Sequence, residues 1–313
     1  MKAAPCPALW RECVPGAWLI GLFAMLWAAS AGAQNLAPRT FWPAPVGTKV
    51  LAAGYAHAAG DVLVDPSLPV YGVDSRIHNA LLAYLQTFDL GGRTANVLFE
   101  LPYSDGTTRG IVETGPTRRD FSGFNDIGVT LMINLLGAPA MSPADMQALR
   151  ANPRPIVGVS VKLLAPTGAY DDERLINVGG NRWATHVKLG AIIPLRPLWL
   201  LELEAGAWFL GDDDDYLTGR REQEPIYALE AHLIRRFKPG FWASLEANWY
   251  TGGRQTIGGN ELVDLKSNSR IGATVVVPFA GRNALKLGYS VSMRTRYGGD
   301  SNQLLVAWQH LLK

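Results

Sequence analysis

Residues 126–135 read Asp-Ile-Gly-Val-Thr-Leu-Met-Ile-Asn-Leu, which puts Ile127, Val129, Leu131, Ile133 and Leu135 on one side of an extended chain and Asp126, Gly128, Thr130 and Asn134 on the other. Alternation with a period of two marks a strand with one apolar face. It recurs at 156–165, where Val157, Val159, Val161 and Leu163 oppose Gly158, Ser160 and Lys162. At 199–209, Trp199, Leu201, Leu203, Ala205, Ala207 and Phe209 oppose Glu202, Glu204 and Gly206. At 226–237, Tyr227, Leu229, Ala231, Leu233 and Phe237 oppose Glu230, His232 and Arg236, and at 241–250, Phe241, Ala243, Leu245, Ala247 and Trp249 oppose Ser244, Glu246 and Asn248. The segments 269–279, 284–296 and 303 to the end continue the pattern.

Further segments at 47–57, 76–88, 93–103 and 183–193 bring the total to roughly twelve strands, each near the ~9–11 residues that a tilted strand needs to cross a bilayer. Their connections alternate in length. Asp89–Gly92, Pro194–Pro197, Lys238–Gly240 and Ala280–Asn283 are short, and most of the others are long, as periplasmic turns and outer loops are in outer-membrane barrels. One expected periplasmic connection, 137–154, is long. In it Ser142-Pro143-Ala144-Asp145 reads as an N-cap, a proline at the first helical position and an acid two further on, predicting a short helix at Pro143–Arg150.

Aromatic residues give an independent check. On the expected outward face Trp183, Phe209, Tyr227 and Trp249 fall near outer strand ends, and Trp199, Phe237, Phe241 and Phe279 near inner ends, as two interfacial girdles would. The fold expected is therefore all-β: a single transmembrane antiparallel β-barrel of about twelve strands with one short periplasmic helix. A soluble β-sandwich also alternates, but has no reason to sort its aromatics to strand ends.

The N-terminus adds location. Arg11 precedes an apolar run, Ala17–Ala29, and Ala31-Gly32-Ala33 offers a small-residue cleavage site, so residues 1–33 are expected to be a cleaved signal peptide and 34–313 the barrel domain. The destination implied is the bacterial outer membrane, reached by secretion through the inner membrane. Both cysteines, Cys6 and Cys13, lie in the leader, so the mature fold is expected to hold without disulfides. The whole chain carries 29 basic and 27 acidic residues, a formal charge of +2, which gives no field to attract nucleic acid. The partners expected instead are outer-membrane lipid and lipopolysaccharide, the barrel-assembly machinery and a small-molecule solute.

The inward face carries charges of both signs: Lys162, His186, Lys188, Glu202, Glu204, Glu230, His232, Arg236, Glu246, Arg270, Lys286, Arg294 and Arg296. They either line a solute path or pair across strands and fill a narrow lumen. None of the five histidines has a serine two residues on, as barrel phospholipases do, so no catalytic residue is assigned. No cofactor and no metal site are assigned either. The run Asp212–Asp215 offers oxygens to calcium or to a bridge with lipopolysaccharide phosphates, but reads more simply as a solvated acidic tip partnered by Arg220 and Arg221.

Several stretches resemble the outer-membrane transporter family of the phenol meta-cleavage (MetA) degradation pathway: YLQTFDLGGRTANVLFELPYSDG at 84–106, GFNDIGV at 123–129, PTGAYDDERLINVGGNRW at 166–183, GDDDDY at 211–216 and WYTGG at 249–253. The resemblance implies a barrel for uptake of small aromatic or hydrophobic compounds. In the longest motif Pro166, Gly168, Asn177, Gly179, Gly180 and Asn181 suit a loop, which either binds solute, with Tyr170, Asp171, Asn177 and Trp183 as the candidate functional positions, or is a clasp with no solute contact. The chain ends Leu311-Leu312-Lys313 where such barrels usually end in an aromatic, so Trp308 is the expected anchor. A sealed barrel with a structural or adhesive role and a lipid-hydrolysing barrel enzyme are the alternatives.

Overall fold

The computed structural model describes residues 36–63, 70–112, 115–174, 176–216 and 219–312; the expected leader, 1–33, lies outside them. The strands are β1 (Lys49–Leu63), β2 (Val70–Leu90), β3 (Arg93–Val112), β4 (Gly115–Phe124), β5 (Ile127–Leu136), β6 (Ile156–Ala165), β7 (Ala184–Arg196), β8 (Trp199–Leu210), β9 (Asp213–Tyr216), β10 (Gly219–Gln223), β11 (Ile226–Arg236), β12 (Trp242–Gly252), β13 (Gln255–Ile257), β14 (Asn260–Glu261), β15 (Lys266–Phe279), β16 (Asn283–Arg294) and β17 (Gly298–Leu311). One helix, α1 (Pro143–Ala151), separates β5 from β6.

Thirteen of these segments form one antiparallel sheet, β2-β1-β17-β16-β15-β12-β11-β8-β7-β6-β5-β3-β4, and β2 also pairs with β3, which closes it. β4 runs along Tyr103–Val112 of β3 and β5 along Ala95–Glu100. The two make one stave, and the ring is the expected barrel of twelve. No helix among the described residues is long and apolar enough to cross a membrane; the crossing is made by strands.

Closure is what this amino-acid pattern demands. In hydrocarbon every backbone N–H and C=O needs a protein partner, and strands supply one to each only when they close into a ring. At the turn end the chain reverses tightly. Gly91 and Gly92 both have positive φ, 60° and 79°, which suits a two-residue hairpin whose twist matches the strands. α1 begins at a capping box in which Ser142 and Asp145 exchange side-chain and backbone hydrogen bonds, with Pro143 at its start. Its buried residues, Met146 and Leu149, lie three apart on one face.

The outer surface is apolar where lipid would touch it: Leu189, Leu203, Leu245 and Ile271 are exposed, Leu245 to 64%. Trp183, Phe209, Tyr227 and Trp249 are exposed near the loop end, and Phe237 and Phe279 near the turn end, where Phe237 stacks on Phe241 at 4.6 Å. Trp308 also faces outward at the turn end, its Nε1 donating to Asn283 Oδ1 at 2.9 Å.

Two features differ from the expected pattern. β2 and β3 run to 21 and 20 residues, about twice what a bilayer requires, and with β4 they stand beyond it as a hairpin extension. β4 reads Gly-Pro-Thr-Arg-Arg-Asp-Phe-Ser-Gly-Phe; with water on both sides it keeps no apolar face, so no alternation announces it. The same holds for β9, β10, β13 and β14, which form a small sheet of their own.

Leu245→Arg, at mid-height on the lipid face, should cost about 2–4 kcal/mol of barrel stability, whereas Ser244→Ala beside it should cost under about 1.5 kcal/mol for its single hydrogen bond to Glu246. Urea unfolding in liposomes distinguishes the two; equal losses would contradict the assigned faces.

Candidate functional site

The lumen has three levels, each built by the inward positions of the strands. At the turn end it is filled by the segment 36–46 leading into β1. Phe41 and Trp42 are fully enclosed. Phe41 occupies space that two glycines leave, since a Cβ on Gly158 or on Gly190 would come within 2.3 Å of its ring. Trp42 has the Arg39 guanidinium 5.0 Å from its ring centroid and that of Arg236 at 5.3 Å, and Arg39 lies 5.3 Å from Trp242 as well. Asn134 Nδ2 donates to Phe41 O at 2.9 Å, Phe41 N donates to Glu202 Oε1 at 3.2 Å, and Arg39 N donates to Glu202 Oε2. α1 completes the closure. Met141, Met146 and Leu149 share one apolar cluster with Phe41, Trp42, Ile192 and Trp242, and Arg236 Nη1 donates to Arg150 O at 3.1 Å.

Magnitudes show what holds this segment. Hydrogen bonds to a charged acceptor contribute about 1.5–3 kcal/mol each, and ordering a residue costs about 1–2 kcal/mol of backbone entropy. The two bonds on Glu202 offset the ordering of only a few residues. The rest must come from burying Phe41 and Trp42, about 1.5–3 kcal/mol or more apiece.

Above this plug lies a belt of charge. Lys162 pairs with Glu100 at 2.7 Å, and Lys188 bridges Glu204 at 2.5 Å and Glu230 at 2.9 Å. His232 Nε2 stands 3.6 Å from Glu230 Oε2. Arg270 donates to Ser290 Oγ at 3.2 Å and to Ser301 O at 2.5 Å. All of these lumen charges are buried, as are Glu202, Glu246 and Lys286. The Lys286 ammonium has no hydrogen-bond partner among the described residues. Arg294 and Arg296 instead lie exposed at the loop-end rim.

At the loop end the inward face turns aromatic and apolar. Trp208, Tyr250, Ile226, Ala228 and Ala184 cluster there with Leu164 and Leu210, and His186 stacks flat on Trp208 at 4.4 Å. Over this level the loop 166–183 is clasped to the β9–β10 hairpin. Tyr170 Oη donates to Asp213 Oδ2 at 2.7 Å, Asn181 Nδ2 to Asp213 Oδ1 at 2.9 Å and Arg221 Nη2 to Asp213 Oδ2 at 3.0 Å. Burial and the bond to Asp213 push the Tyr170 hydroxyl pKa well up, which keeps it a donor at any physiological pH. Asp126, between β4 and β5, accepts from the backbone N–H groups of Thr167, Gly168 and Gly180. Of the acidic run, Asp212 and Asp214 pair with Arg220 and Asp213 with Arg221.

The candidate loop positions do not converge. Tyr170 joins the clasp. Asn177 serves the loop's own backbone, its Nδ2 donating to Asp171 O and Arg174 O and its Oδ1 accepting from Asp171 N. Trp183 faces outward, 61% exposed. The lumen charges do converge, on β7, β8 and β11. Sequence reasoning missed Glu100, Trp208 and Tyr250, although each extends the inward alternation: Trp208 follows Glu202, Glu204 and Gly206, and Tyr250 follows Ser244, Glu246 and Asn248, at steps of two. It missed Arg39, Phe41 and Trp42 for another reason. Their segment is irregular and broken by prolines, so no periodicity marks it.

A closed ring of twelve strands with an apolar belt and a polar, packed interior defines an outer-membrane β-barrel. The chain belongs to the family described as "Putative MetA-pathway of phenol degradation", which matches residues 70–306. It is similar in structure to the COG4313 outer membrane channel from Pseudomonas putida F1, with a TM-score of 0.70 at 19% identity over 91% of this chain and 100% of that one. It is also similar to the transport unit of the autotransporter AIDA-I from Escherichia coli, TM-score 0.51 at 10% identity over 95% and 97%, and to the beta domain of the Bordetella autotransporter BrkA, TM-score 0.50 at 10% identity over 85% and 100%. No curated protein matches the sequence.

Because Asp213 holds Tyr170, Asn181 and Arg221 at once, Asp213→Ala should free the loop. Limited trypsinolysis of the folded barrel is expected to cut at Arg174 and Arg182 several-fold faster than in the wild type; an unchanged rate would show that the clasp lies elsewhere.

Proposed function

We propose that this chain is a channel of the bacterial outer membrane that passes small aromatic or hydrophobic compounds, and that it is closed at rest by its own segment 36–46. The observation that carries the reading is the order of levels in the lumen: a packed aromatic and apolar layer under the outer loops, a belt of paired charges, then a plug at the periplasmic mouth. Trp208 is buried under the stacked His186, so a ring-shaped solute is taken up by inserting into this aromatic layer, where aromatic pairs contribute about 0.5–1.5 kcal/mol beyond the area they bury. Contacts of that strength capture a solute and still release it, which conduction requires. The aromatic class also agrees with the family description, which names phenol degradation, and the channel reading with the outer membrane channel that shares the fold.

The side chains present suit binding and passage rather than hydrolysis. Among the described residues neither His186 nor His232 is hydrogen-bonded to a serine, and a barrel hydrolase needs a nucleophile within reach of its base. The surfaces for lipid, for lipopolysaccharide at the basic and acidic outer loops, and for the assembly machinery belong to the same reading. The plug also favours a second reading, a permanently sealed barrel.

Planar-bilayer conductance and liposome uptake separate the two. The wild type should conduct weakly, deletion of residues 36–46 should raise ion conductance several-fold, and Glu202→Gln, which keeps one acceptor for the two backbone N–H groups and turns the other into an opposing donor, should raise it less. Uptake of a small aromatic solute by wild-type proteoliposomes should exceed that by Trp208→Ala proteoliposomes. No solute flux through the wild type, with conductance unchanged by the deletion, would leave the sealed barrel.

A further inference from the structure

β8 and β11 bring four ionisable side chains to one height of the lumen. In their register Glu204 stands opposite Glu230, and Glu202 opposite His232. Glu202 is committed to the N-terminal segment, both of its oxygens accepting backbone N–H groups. The other three are differently placed. From β7, Lys188 takes one oxygen of each glutamate, Glu204 Oε2 and Glu230 Oε1. What it leaves over is Glu204 Oε1, Glu230 Oε2 and both ring nitrogens of His232; Glu230 Oε2 faces His232 Nε2 at 3.6 Å, and beyond that contact none has a hydrogen-bond partner among the described residues.

These groups are also shut away from water. Glu204 is 4% exposed, Glu230 8% and His232 0%, so solvent cannot satisfy the lone pairs that the protein leaves unsatisfied. One ligand atom from each of the three side chains can be chosen so that all lie within 4.8 Å of one another. Two carboxylates meet one ammonium, and the His232 imidazole faces the same space, its Nε2 3.6 Å from Glu230 Oε2. A hydrogen-bond donor would answer one of these groups; a cation answers all three.

We propose that Glu204, Glu230 and His232 bind one divalent transition-metal ion of the Zn²⁺ class inside the barrel, with Lys188 bracing the two carboxylates from behind. The donor set selects the metal. Carboxylate with imidazole suits zinc and its neighbours, whereas calcium and magnesium take oxygen alone. Zinc bonds of about 2.0–2.2 Å set neighbouring donor atoms roughly 3.4 Å apart, so rotation of the two glutamate side chains by about an ångström completes the site. Three protein ligands leave a fourth position for water or for a polar group of a passing solute. Lys188, hydrogen-bonded to the non-ligating oxygens, fixes the carboxylates as outer partners do in protein zinc sites.

An imidazole pair elsewhere in the barrel must be removed from the test. His57 and His78 are paired across β1 and β2 on the outward face, with rings 4.7 Å apart, and could hold zinc independently. The experiment therefore uses the full barrel in detergent with His57→Ala and His78→Ala, stripped with chelator and titrated with Zn²⁺ by calorimetry, with bound metal counted by elemental analysis. The result expected is one ion per chain, an affinity lowered more than about tenfold by each of His232→Gln, Glu230→Gln and Glu204→Gln, and no comparable binding of Mg²⁺ or Ca²⁺. Zinc should also raise the melting temperature of the stripped barrel but not of the variants. Heat-dependent gel mobility reports whether each variant is folded; should His232→Gln fail to fold, the two isosteric glutamine variants decide. Absence of saturable binding, binding unchanged in the folded variants, or equal binding of Mg²⁺ would overturn the proposal.

Discussion

The absence of water in the bilayer core is the constraint from which the rest follows. Each backbone amide left unpaired in hydrocarbon costs several kcal/mol, so β2 must find β3 and the sheet must close. Closure fixes two faces for every strand, and with them the fate of every side chain. Leucines, valines and aromatics at alternate positions go to lipid. The charged side chains at mid-height on a membrane-crossing strand go to the lumen, because they have nowhere else to go.

That forced inheritance explains why the interior is so charged. Glu100, Glu202, Glu204, Glu230 and Glu246 share the lumen with Lys162, Lys188, Arg270 and Lys286. Buried ion pairs of this kind add little net stability, but removing one partner costs about 3–5 kcal/mol because the other is stranded. The belt is thus a set of mutual obligations, and the few groups that escape pairing become informative. Glu202 has no lysine; it takes backbone N–H groups from Arg39 and Phe41, and so links the charge of the barrel to the closure of its mouth. The gaps at Gly158 and Gly190 serve the same end, as the hollow into which Phe41 fits. The plug is attached by aromatic burial and a few hydrogen bonds rather than by a continuous strand pairing, which makes it separable from the ring it closes.

The sequence made legible whatever the bilayer disciplines. The twelve staves, the sides of Glu202, Glu204, Glu230 and His232, the girdle residues and the start of α1 at Ser142 all follow from periodicity or from capping chemistry. Where water or another part of the protein replaces lipid, that discipline lapses. β4 lies beyond the membrane and shows no alternation. The residues Phe41 and Trp42 pack against several distant strands, and their burial depends on contacts that no local spacing records. Tyr170 and Asp213 find each other across 43 residues, a pairing that depends on the folded loops rather than on either motif. Trp208 and Tyr250 were available to the same rule that found their neighbours, one step further along β8 and β12.

The central claim, that alternate residues of each stave touch lipid while the others meet a filled lumen, is open to a direct measurement. A fluorophore is attached at single cysteines placed in turn at residues 243–249 of β12 in liposomes, and its quenching by brominated acyl chains is recorded. Strong quenching at 243, 245, 247 and 249 with weak quenching at 244, 246 and 248 is the predicted result. Quenching that does not alternate, or that is absent throughout, would contradict the account.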